Sequence, residues 1–257
     1  MKVVILAGGK GMRMGEDCCN NTPKPMIRIG GKPILWHIMK HYDVYDHKDF
    51  ILCLGHRGDV IRDYFLDYKN KVGDVLVSTR SGAVVDRPVV PEDWFVRLAE
   101  TGEETGTGGR IKRIEQYISG SGGDNFLATY GDSLSNVPIN AVVNHHKKMG
   151  LPATMCVMHS AQRFGVAEVQ NGKVVRFEEK PKQASDWING GFYVFSREVF
   201  KWLDDGPLEY GPLGELARRG GLAGYEHLGC HRAMDTPRDV LALNEEWESG
   251  HAAWKTW

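Results

Sequence analysis

Residues 3–34, with the sequence VVILAGGKGMRMGEDCCNNTPKPMIRIGGKPI, indicate both a fold and a class of ligand. The apolar run Val3–Ala7 is long enough for one buried strand and ends at a glycine. Glycines and a cation follow it, at Gly8, Gly9, Gly11 and Arg13. Glycines at a strand exit allow a sharp turn and a close approach of backbone N–H groups to an anion. A second cation, Lys24, has a stiffened backbone because it lies between two prolines. The stretch therefore predicts a backbone cradle with two positive charges that suits a polyphosphate.

Two common phosphate-binding loops do not match this stretch. A Walker loop needs the pattern G-x-x-x-x-G-K-[ST], which does not occur in the chain. The dinucleotide fingerprint G-x-G-x-x-G fails because Met14 stands where the third glycine should be. The acidic residue expected about twenty positions later is also missing. A nicotinamide-linked dehydrogenase is therefore disfavoured.

The composition is that of an ordinary globular protein, with 257 residues, 42% hydrophobic and 25% charged. The formal net charge of -1 argues against nucleic acid or a membrane surface as a partner held by bulk electrostatics. No apolar run approaches the roughly eighteen residues of a membrane span, and the chain opens on a predicted strand without a signal-peptide pattern. The five cysteines have no CxxC spacing, which indicates neither a disulfide framework nor a zinc site. We expect a cytoplasmic protein.

Hydrophobic periodicity predicts alternating strands and helices in the first half of the chain. Phe50–Leu54 is a second buried strand, and helices with one apolar face are expected over about 33–42 and 60–68. A third strand is expected at Val75–Val77, followed by an irregular surface excursion over 81–93. The pattern is typical of an α/β fold, a Rossmann-like, mostly parallel mixed sheet flanked by helices. From residue 154 short strands, with a hairpin at Asn171-Gly172, predict a smaller β-rich part.

A carboxylate stands directly after another predicted buried strand. The run Phe126–Tyr130 ends in Gly131-Asp132, and open α/β sheets bind ligands at the carboxyl ends of their strands. Mg²⁺ prefers oxygen ligands, typically one or two carboxylates together with the phosphates of a substrate. We therefore expect Asp132 to bind Mg²⁺, the alternative being an aspartate that only caps the next segment.

The motifs LAGGKGMR at 6–13, PKPM at 23–26 and GGKP at 30–33 resemble the opening of the sugar-1-phosphate nucleotidyltransferases. One position departs, because Met12 stands where that family usually has threonine. The resemblance covers essentially the whole chain and is closest to the glucose-1-phosphate cytidylyltransferases, on stretches such as TGGRIKR at 107–113 and INGGF at 188–192. It implies one nucleotide-diphospho-sugar transferase domain over 1–257, with a nucleotide-binding half at 1–150. The half at 151–257 would hold the sugar and the C-terminal helix.

The resemblance also implies roles for particular side chains. Arg13 and Lys24 would bind the triphosphate and, with Asp132, be the catalytic residues. The glycine-rich loop at 101–109 would read the base, the alternative being a flexible loop without a ligand. The nucleotide-binding residues so implied are Leu6, Ala7, Gly8, Gly9, Gly11, Arg13, Lys24, Thr105, Thr107, Gly109, Arg110 and Gly131.

The sugar side follows from motifs in the second half. A lysine before a proline can reach a phosphate, and a neighbouring carboxylate can accept sugar hydroxyls, although EEKPK at 178–182 alone would also suit a solvated charge run. The resemblance assigns the sugar phosphate to Glu179, Lys180, Asn189 and Gly190. Asp235 precedes Thr236-Pro237 and predicts a helix start with Asp or Thr as cap. The resemblance makes Asp235 the second Mg²⁺ ligand as well.

The expected reaction joins CTP and glucose 1-phosphate to give CDP-glucose and pyrophosphate. The sugar phosphate attacks the α-phosphorus in line with Mg²⁺ assistance, so the chain needs no side-chain nucleophile. Because Met12 and Ser133 depart from the family pattern, another base such as that of dTTP or UTP, or another sugar 1-phosphate, stays open. A catalytically silent sugar-nucleotide-binding regulator is a further alternative. The partners are these small molecules, and the resemblance implies a homo-oligomer, either a hexamer or a trimer.

Overall fold

The computed structural model describes residues 1–11, 14, 22–86, 92–118, 124–159, 166–170, 173–178 and 187–257, with side chains described outside 166–178. In chain order, its strands are β1 Lys2–Leu6, β2 Arg28–Ile29, β3 Lys32–Pro33, β4 Asp49–Leu54, β5 Leu76–Val77, β6 Val84–Asp86, β7 Phe95–Glu100, β8 Asn125–Tyr130, β9 Ser133–Ser135, β10 Ala153–His159, β11 Val166–Gln170, β12 Lys173–Glu178, β13 Trp187–Ser196, β14 Leu222–His227 and β15 His231–Ala233. Its α-helices are α1 Ile34–Asp43, α2 Gly58–Leu66, α3 Tyr68–Lys71, α4 Thr107–Arg113, α5 Glu115–Ile118, α6 Ile139–Met149, α7 Pro212–Arg218 and α8 Pro237–Glu248.

Seven of these strands form one mixed sheet in the order β14-β10-β13-β8-β1-β4-β7. Strand β1 is parallel to β4 on one side and to β8 on the other, and β4 is parallel to β7. Strand β13 runs antiparallel to both β8 and β10. Strands β4 and β7 therefore lie on one side of β1, whereas β8 lies on the other. The strand order reverses between β1 and β8, and such a switch point is where open α/β sheets bind ligands. The predicted α/β sheet with flanking helices is confirmed.

The apolar run of β1 is buried on both faces of the sheet. Val3 and Ile5 point into one core layer, together with Trp254 near the C-terminus, and Val4 and Leu6 point into the other. Alternate residues of a strand face opposite sides, so only a continuous apolar run fills a strand that is covered twice. This burial fixes the carboxyl end of β1 at the centre of the molecule.

Two parts of the predicted architecture differ from the structure. The short strand predicted at 75–77 does not join the central sheet, because β5 pairs only with β6 in an antiparallel ribbon whose Leu76, Val77 and Val85 are exposed. The later strands β10, β13 and β14 extend the central sheet instead of forming a β-rich part of their own. The predicted hairpin is confirmed as the antiparallel pair β11 and β12, although its connecting residues lie outside the described part.

Helix α8 and the C-terminal tail pack onto α1 through aromatic rings. Trp254 is fully buried, and its ring lies 5.5 Å from that of His37 and 6.0 Å from that of Trp247. Aromatic pairs at such distances contribute beyond their buried area, so they hold the tail in place. None of the helices within the described ranges has the length and apolar character that crossing a membrane requires.

Candidate active site

A cavity of about 450 Å³ opens at the carboxyl ends of β1 and β8, the switch point of the sheet. Its volume falls in the range of small-molecule pockets. Apart from Gly109, every predicted nucleotide-binding residue that the structure describes lines this cavity. Its wall consists of Leu6, Ala7, Gly8, Gly9, Lys10, Gly11, Lys24, Pro25, Thr105, Gly106, Thr107, Arg110, Tyr130, Gly131, Asp132, Pro207, Glu209 and Asp235.

The glycine-rich turn after β1 is fastened to the neighbouring loops by its backbone. Ala7 N donates to Cys53 O at 3.1 Å, and Gly8 O accepts from His56 N at 3.1 Å. A Cβ at Gly8 would overlap the guanidinium of Arg110 and lie 2.8 Å from Gly55 N. Packing against Arg110 and Gly55 therefore requires a glycine at position 8. Gly9, by contrast, is exposed, and a Cβ there would lie in open space.

Arg110 has a role that the sequence did not indicate. Its guanidinium donates five hydrogen bonds, to Leu54 O at 2.9 Å, to Thr101 Oγ1, Gly102 O and Gly8 O at 2.8 Å each, and to Glu103 O at 3.1 Å. The residue is 3% exposed. A guanidinium has five N–H donors, and both terminal nitrogens of Arg110 already donate to protein acceptors. Arg110 therefore ties the turn after β1 to the loop at 101–103, and its predicted role as a direct ligand contact stays a prediction.

Lys24 brings together two carboxylates that are far apart in sequence. Its Nζ lies 2.7 Å from Asp132 Oδ2 and 2.7 Å from Asp235 Oδ1. Lys24 is the first residue of a short 3₁₀ turn, Lys24–Met26, and lies between Pro23 and Pro25. The two prolines restrict its backbone and so fix where the side chain starts. Asp132 follows the end of β8, and Asp235 directly precedes Thr236, the N-cap of α8.

The helix cap explains why the Asp235 side chain can face the cavity. Thr236 and Asp239 form a capping box, in which Thr236 Oγ1 accepts from Asp239 N and the Asp239 carboxylate accepts from Thr236 N. These two residues satisfy the first turn of α8, and the Asp239 carboxylate also accepts from Asp235 N at 3.0 Å. The cap is thus threonine, and the Asp235 carboxylate lies against Lys24 instead.

The three charged groups sum to one negative charge. Burial opposes the charge of Lys24, but the Coulomb attraction and hydrogen bonds of Asp132 and Asp235 outweigh it and raise the pKa of Lys24. Two carboxylates thus already converge on one cation, which is the donor set that Mg²⁺ takes from a protein when phosphates complete its shell. Within the described ranges no group of three or more His, Cys, Asp or Glu residues could hold a metal ion.

Residues 204–208 pack against the loop at 101–106 and against helix α4. Gly106 N donates to Asp205 O and Gly109 N to Gly206 O, both at 3.1 Å. A Cβ on Gly109 would lie 2.7 Å from Asp205 O. Gly109 therefore packs against this segment and does not line the cavity, and its role as a nucleotide contact stays a prediction. Helix α4 starts at Thr107.

A chain of polar side chains runs from Thr107 in the cavity wall to Asn189 outside it. Thr107 Oγ1 donates to Glu209 Oε2 at 2.7 Å, and Tyr130 OH donates to Glu209 Oε1. Tyr130 OH lies 3.0 Å from Tyr193 OH, and Asn189 Nδ2 lies 2.6 Å from Tyr193 OH. This chain connects the predicted base loop to the predicted sugar-binding strand.

The predicted sugar-binding pair Asn189 and Gly190 lies inside β13. Gly191 has a φ of +75°, and a Cβ there would overlap the ring of Tyr130. A Cβ on Gly190 would meet the side chain of Met158 at 2.6 Å, so this glycine is also required by packing. Asn189 and Gly190 do not line the cavity described above, and Asn189 is connected to it through the two tyrosines.

Three predicted site residues, Arg13, Glu179 and Lys180, lie outside the described residues. Tyr130 and Glu209 also line the cavity, although neither was a predicted site residue. Tyr130 could have been found, because it is the last residue of β8, at the end of the strand where open α/β sheets bind ligands. Glu209 had no local signal, since its partners Thr107 and Tyr130 are 102 and 79 positions away in sequence.

Comparisons with known proteins agree with this geometry. Residues 2–215 match the family described as nucleotidyl transferase. A glucose-1-phosphate cytidylyltransferase of Salmonella typhi is 43% identical over 259 residues, which covers 100% of both chains. A UTP–glucose-1-phosphate uridylyltransferase of Synechocystis is 29% identical over 224 residues, covering 84% of this chain and 54% of the other.

Solved structures share the fold at low sequence identity. HddC from Yersinia pseudotuberculosis superposes with a TM-score of 0.68 at 22% identity, covering 96% of this chain and 99% of the other. A UDP-glucose pyrophosphorylase complexed with UDP-glucose has a TM-score of 0.68 at 16% identity, covering 97% and 98% of the two chains. At these identities the likeness concerns the fold alone.

Proposed function

The chain belongs to the nucleotidyl transferase family, and from this premise we propose that it transfers a cytidylyl group from CTP to glucose 1-phosphate. The products are CDP-glucose and pyrophosphate. The full-length identity of 43% to a glucose-1-phosphate cytidylyltransferase supports the choice of substrates. The observation that carries the proposal is the cluster of Asp132, Lys24 and Asp235 at the switch point of the sheet, next to the glycine-rich turn.

The reaction needs little covalent chemistry from the protein. An oxygen of the sugar phosphate forms a bond to the α-phosphorus of CTP, the bond from that phosphorus to the bridging oxygen breaks, and pyrophosphate leaves with the electron pair. The attacking phosphate is already ionised near neutral pH, so no side chain has to remove a proton. Holding two anions together and stabilising the charge that grows on the leaving group are the main tasks.

Lys24 and the turn after β1 serve the triphosphate. The ammonium of Lys24 lies at the cavity wall, and the exposed backbone of Gly9 is accessible to a phosphate. Arg13 would add a second cation on the same side, and Lys180, with Glu179, would hold the sugar phosphate. These three assignments follow from the motifs, because all three residues lie outside the described part of the chain.

Asp132 and Asp235 would hold Mg²⁺. Their cluster with Lys24 carries one negative charge, which repels an incoming triphosphate unless a further cation is present. Bound there, Mg²⁺ would neutralise phosphate charge and polarise the α-phosphoryl oxygen. The two carboxylates supply part of its shell and leave room for oxygens of the substrates.

The experiment that tests the proposal is pyrophosphate release from the purified protein with Mg²⁺ and glucose 1-phosphate. CTP, UTP, dTTP, GTP and ATP are compared at equal concentrations, and we expect CTP to be preferred. Asp132→Asn should abolish release, while Asp124→Asn is the matched control. Asp124 is exposed and precedes the same strand at its opposite end, about 20 Å away for six residues of strand.

Each other outcome has a defined meaning. A preference for UTP or dTTP would keep the reaction and overturn the choice of base. Absence of release with every nucleotide would favour another sugar 1-phosphate or a silent sugar-nucleotide-binding regulator, which binding of CDP-glucose by calorimetry would distinguish. We also propose a homo-oligomer, a hexamer or trimer, which the mass of the particle in solution would test.

A further inference from the structure

The carboxylate of Glu209 stands in the cavity wall with both oxygens engaged by hydroxyls of the protein. Thr107 Oγ1 lies 2.7 Å from Oε2, and Tyr130 OH contacts Oε1. Two O–H donors that converge on the two oxygens fix the plane of the carboxylate. Each carboxylate oxygen has a further lone pair, so Glu209 keeps unused acceptors in the cavity wall after these two contacts.

Glu209 also determines what Thr107 can offer to a ligand. The Thr107 oxygen accepts from Leu208 N at 2.8 Å, and its only hydroxyl proton is donated to Glu209. A threonine hydroxyl has one donor and two acceptor lone pairs, so one lone pair is left. Thr107 can therefore accept from a ligand in this cavity but cannot donate to it.

Tyr130 is fixed in the same way. Burial raises the pKa of Tyr130, and the neighbouring Tyr193 and Glu209 raise it further, so the phenol keeps its proton and donates it to Glu209. Along this side of the cavity, Thr107 and Glu209 form what we term the acceptor corner.

An acceptor corner discriminates between pyrimidine bases. Cytosine carries an exocyclic amine, which donates two hydrogen bonds, where uracil and thymine carry a carbonyl oxygen. Carboxylates pair with the cytosine amine in other recognition systems. A carbonyl in the same place would face lone pairs on both residues and would receive no hydrogen bond from either.

On the basis of the proposed function, we propose that Glu209 is a specificity-determining residue that selects cytosine over uracil and thymine through the acceptor corner. It accepts from the cytosine amine and, by taking the proton of Thr107, keeps that hydroxyl from donating to a carbonyl. Glu209 thereby accounts for base choice in a chain whose nucleotide loop contains only glycine, threonine and glutamate between 101 and 109.

The test is the ratio of kcat/KM for CTP to kcat/KM for UTP, measured at saturating glucose 1-phosphate. Glu209→Gln replaces one of the two acceptor oxygens by an NH₂ donor, so we expect the ratio to fall at least tenfold. Thr107→Val removes the second acceptor and should lower the ratio in the same direction. Glu198→Gln is the control, because Glu198 is exposed and pairs only weakly with Lys201, at 3.5 Å.

Three results separate the possibilities. A ratio within twofold of wild type in Glu209→Gln, with a raised KM for glucose 1-phosphate, would overturn the inference and show that the corner accepts sugar hydroxyls. Equal losses with both nucleotides in both variants, with a lowered melting temperature, would also overturn it and make the corner structural. If Glu209→Gln does not fold, the Thr107→Val ratio decides by the same criterion. A wild-type preference for UTP would overturn the proposed function itself, before any variant is measured.

Discussion

Replacement of Arg110 by methionine distinguishes the structural role of this residue from ligand binding. Methionine keeps an unbranched stem of similar length but removes all five donors. If Arg110 joins the turn after β1 to the loop at 101–103, its loss should destabilise the free protein. If it instead served the substrate, the free protein would hardly change.

The magnitude follows from which acceptors lose their partner. Leu54 O keeps a hydrogen bond from Thr101 N at 3.0 Å, and Gly8 O keeps one from His56 N at 3.1 Å. The loss therefore falls mainly on Gly102 O and Glu103 O. Hydrogen bonds to a charged donor are worth about 1.5 kcal/mol each at the lower end, which gives about 3 kcal/mol. For a chain of this size that corresponds to a fall in melting temperature of about 6–12 °C.

The assay is thermal unfolding of the ligand-free protein, with steady-state kinetics alongside. Lys112→Met is the control, because Lys112 is exposed on the same helix. Arg110→Lys should lie between the two, since an ammonium keeps the charge but cannot reach acceptors on both sides. The structural role is refuted if Arg110→Met has the same melting temperature as the control but a KM for CTP raised more than tenfold. That result would restore the ligand-binding role predicted from the sequence.

Three further changes test other parts of the structure. Lys24→Met should raise the affinity of the nucleotide-free protein for Mn²⁺, seen by electron paramagnetic resonance, because the ammonium competes for both carboxylates, and unchanged or weaker binding would contradict this. Burial lowers the pKa of His37 from 6.5 to about 4, so the unfolded state binds more protons between these values and stability should fall as pH drops from 6.5 towards 4. The slope is about 1.4 kcal/mol per pH unit for this histidine, and a urea midpoint that is flat from pH 7 to 5 would disprove it. Gly30→Ala should unfold at least about 1 kcal/mol more easily than Gly31→Ala, because both positions have positive φ but only a Cβ on Gly30 overlaps Trp247, and equal urea midpoints would exclude that clash as the cause.

The first half of the fold could be predicted because its signals are local. The apolar runs of β1, β4 and β8 are continuous, and each ends at a glycine, so both burial and the turn can be recognised from a few neighbouring residues. Lys24 between prolines and Asp132 after a strand were recognisable for the same reason. Neighbouring residues could not show that Leu76 and Val77 leave the central sheet, because strand partners are chosen by packing over long separations.

By itself, the sequence determined the α/β class, the position of the glycine-rich turn and the identity of Lys24, Asp132 and Asp235 as candidates for one site. Only the tertiary structure decided what these and other residues contact. It brought two carboxylates onto one ammonium, turned Arg110 towards carbonyls and placed Glu209 against Thr107. The contacts of Lys24 with the two carboxylates, of Arg110 with Leu54 O and of Thr107 with Glu209 join residues 56 or more positions apart. At such separations sequence periodicity carries no information, and packing alone selects the partner.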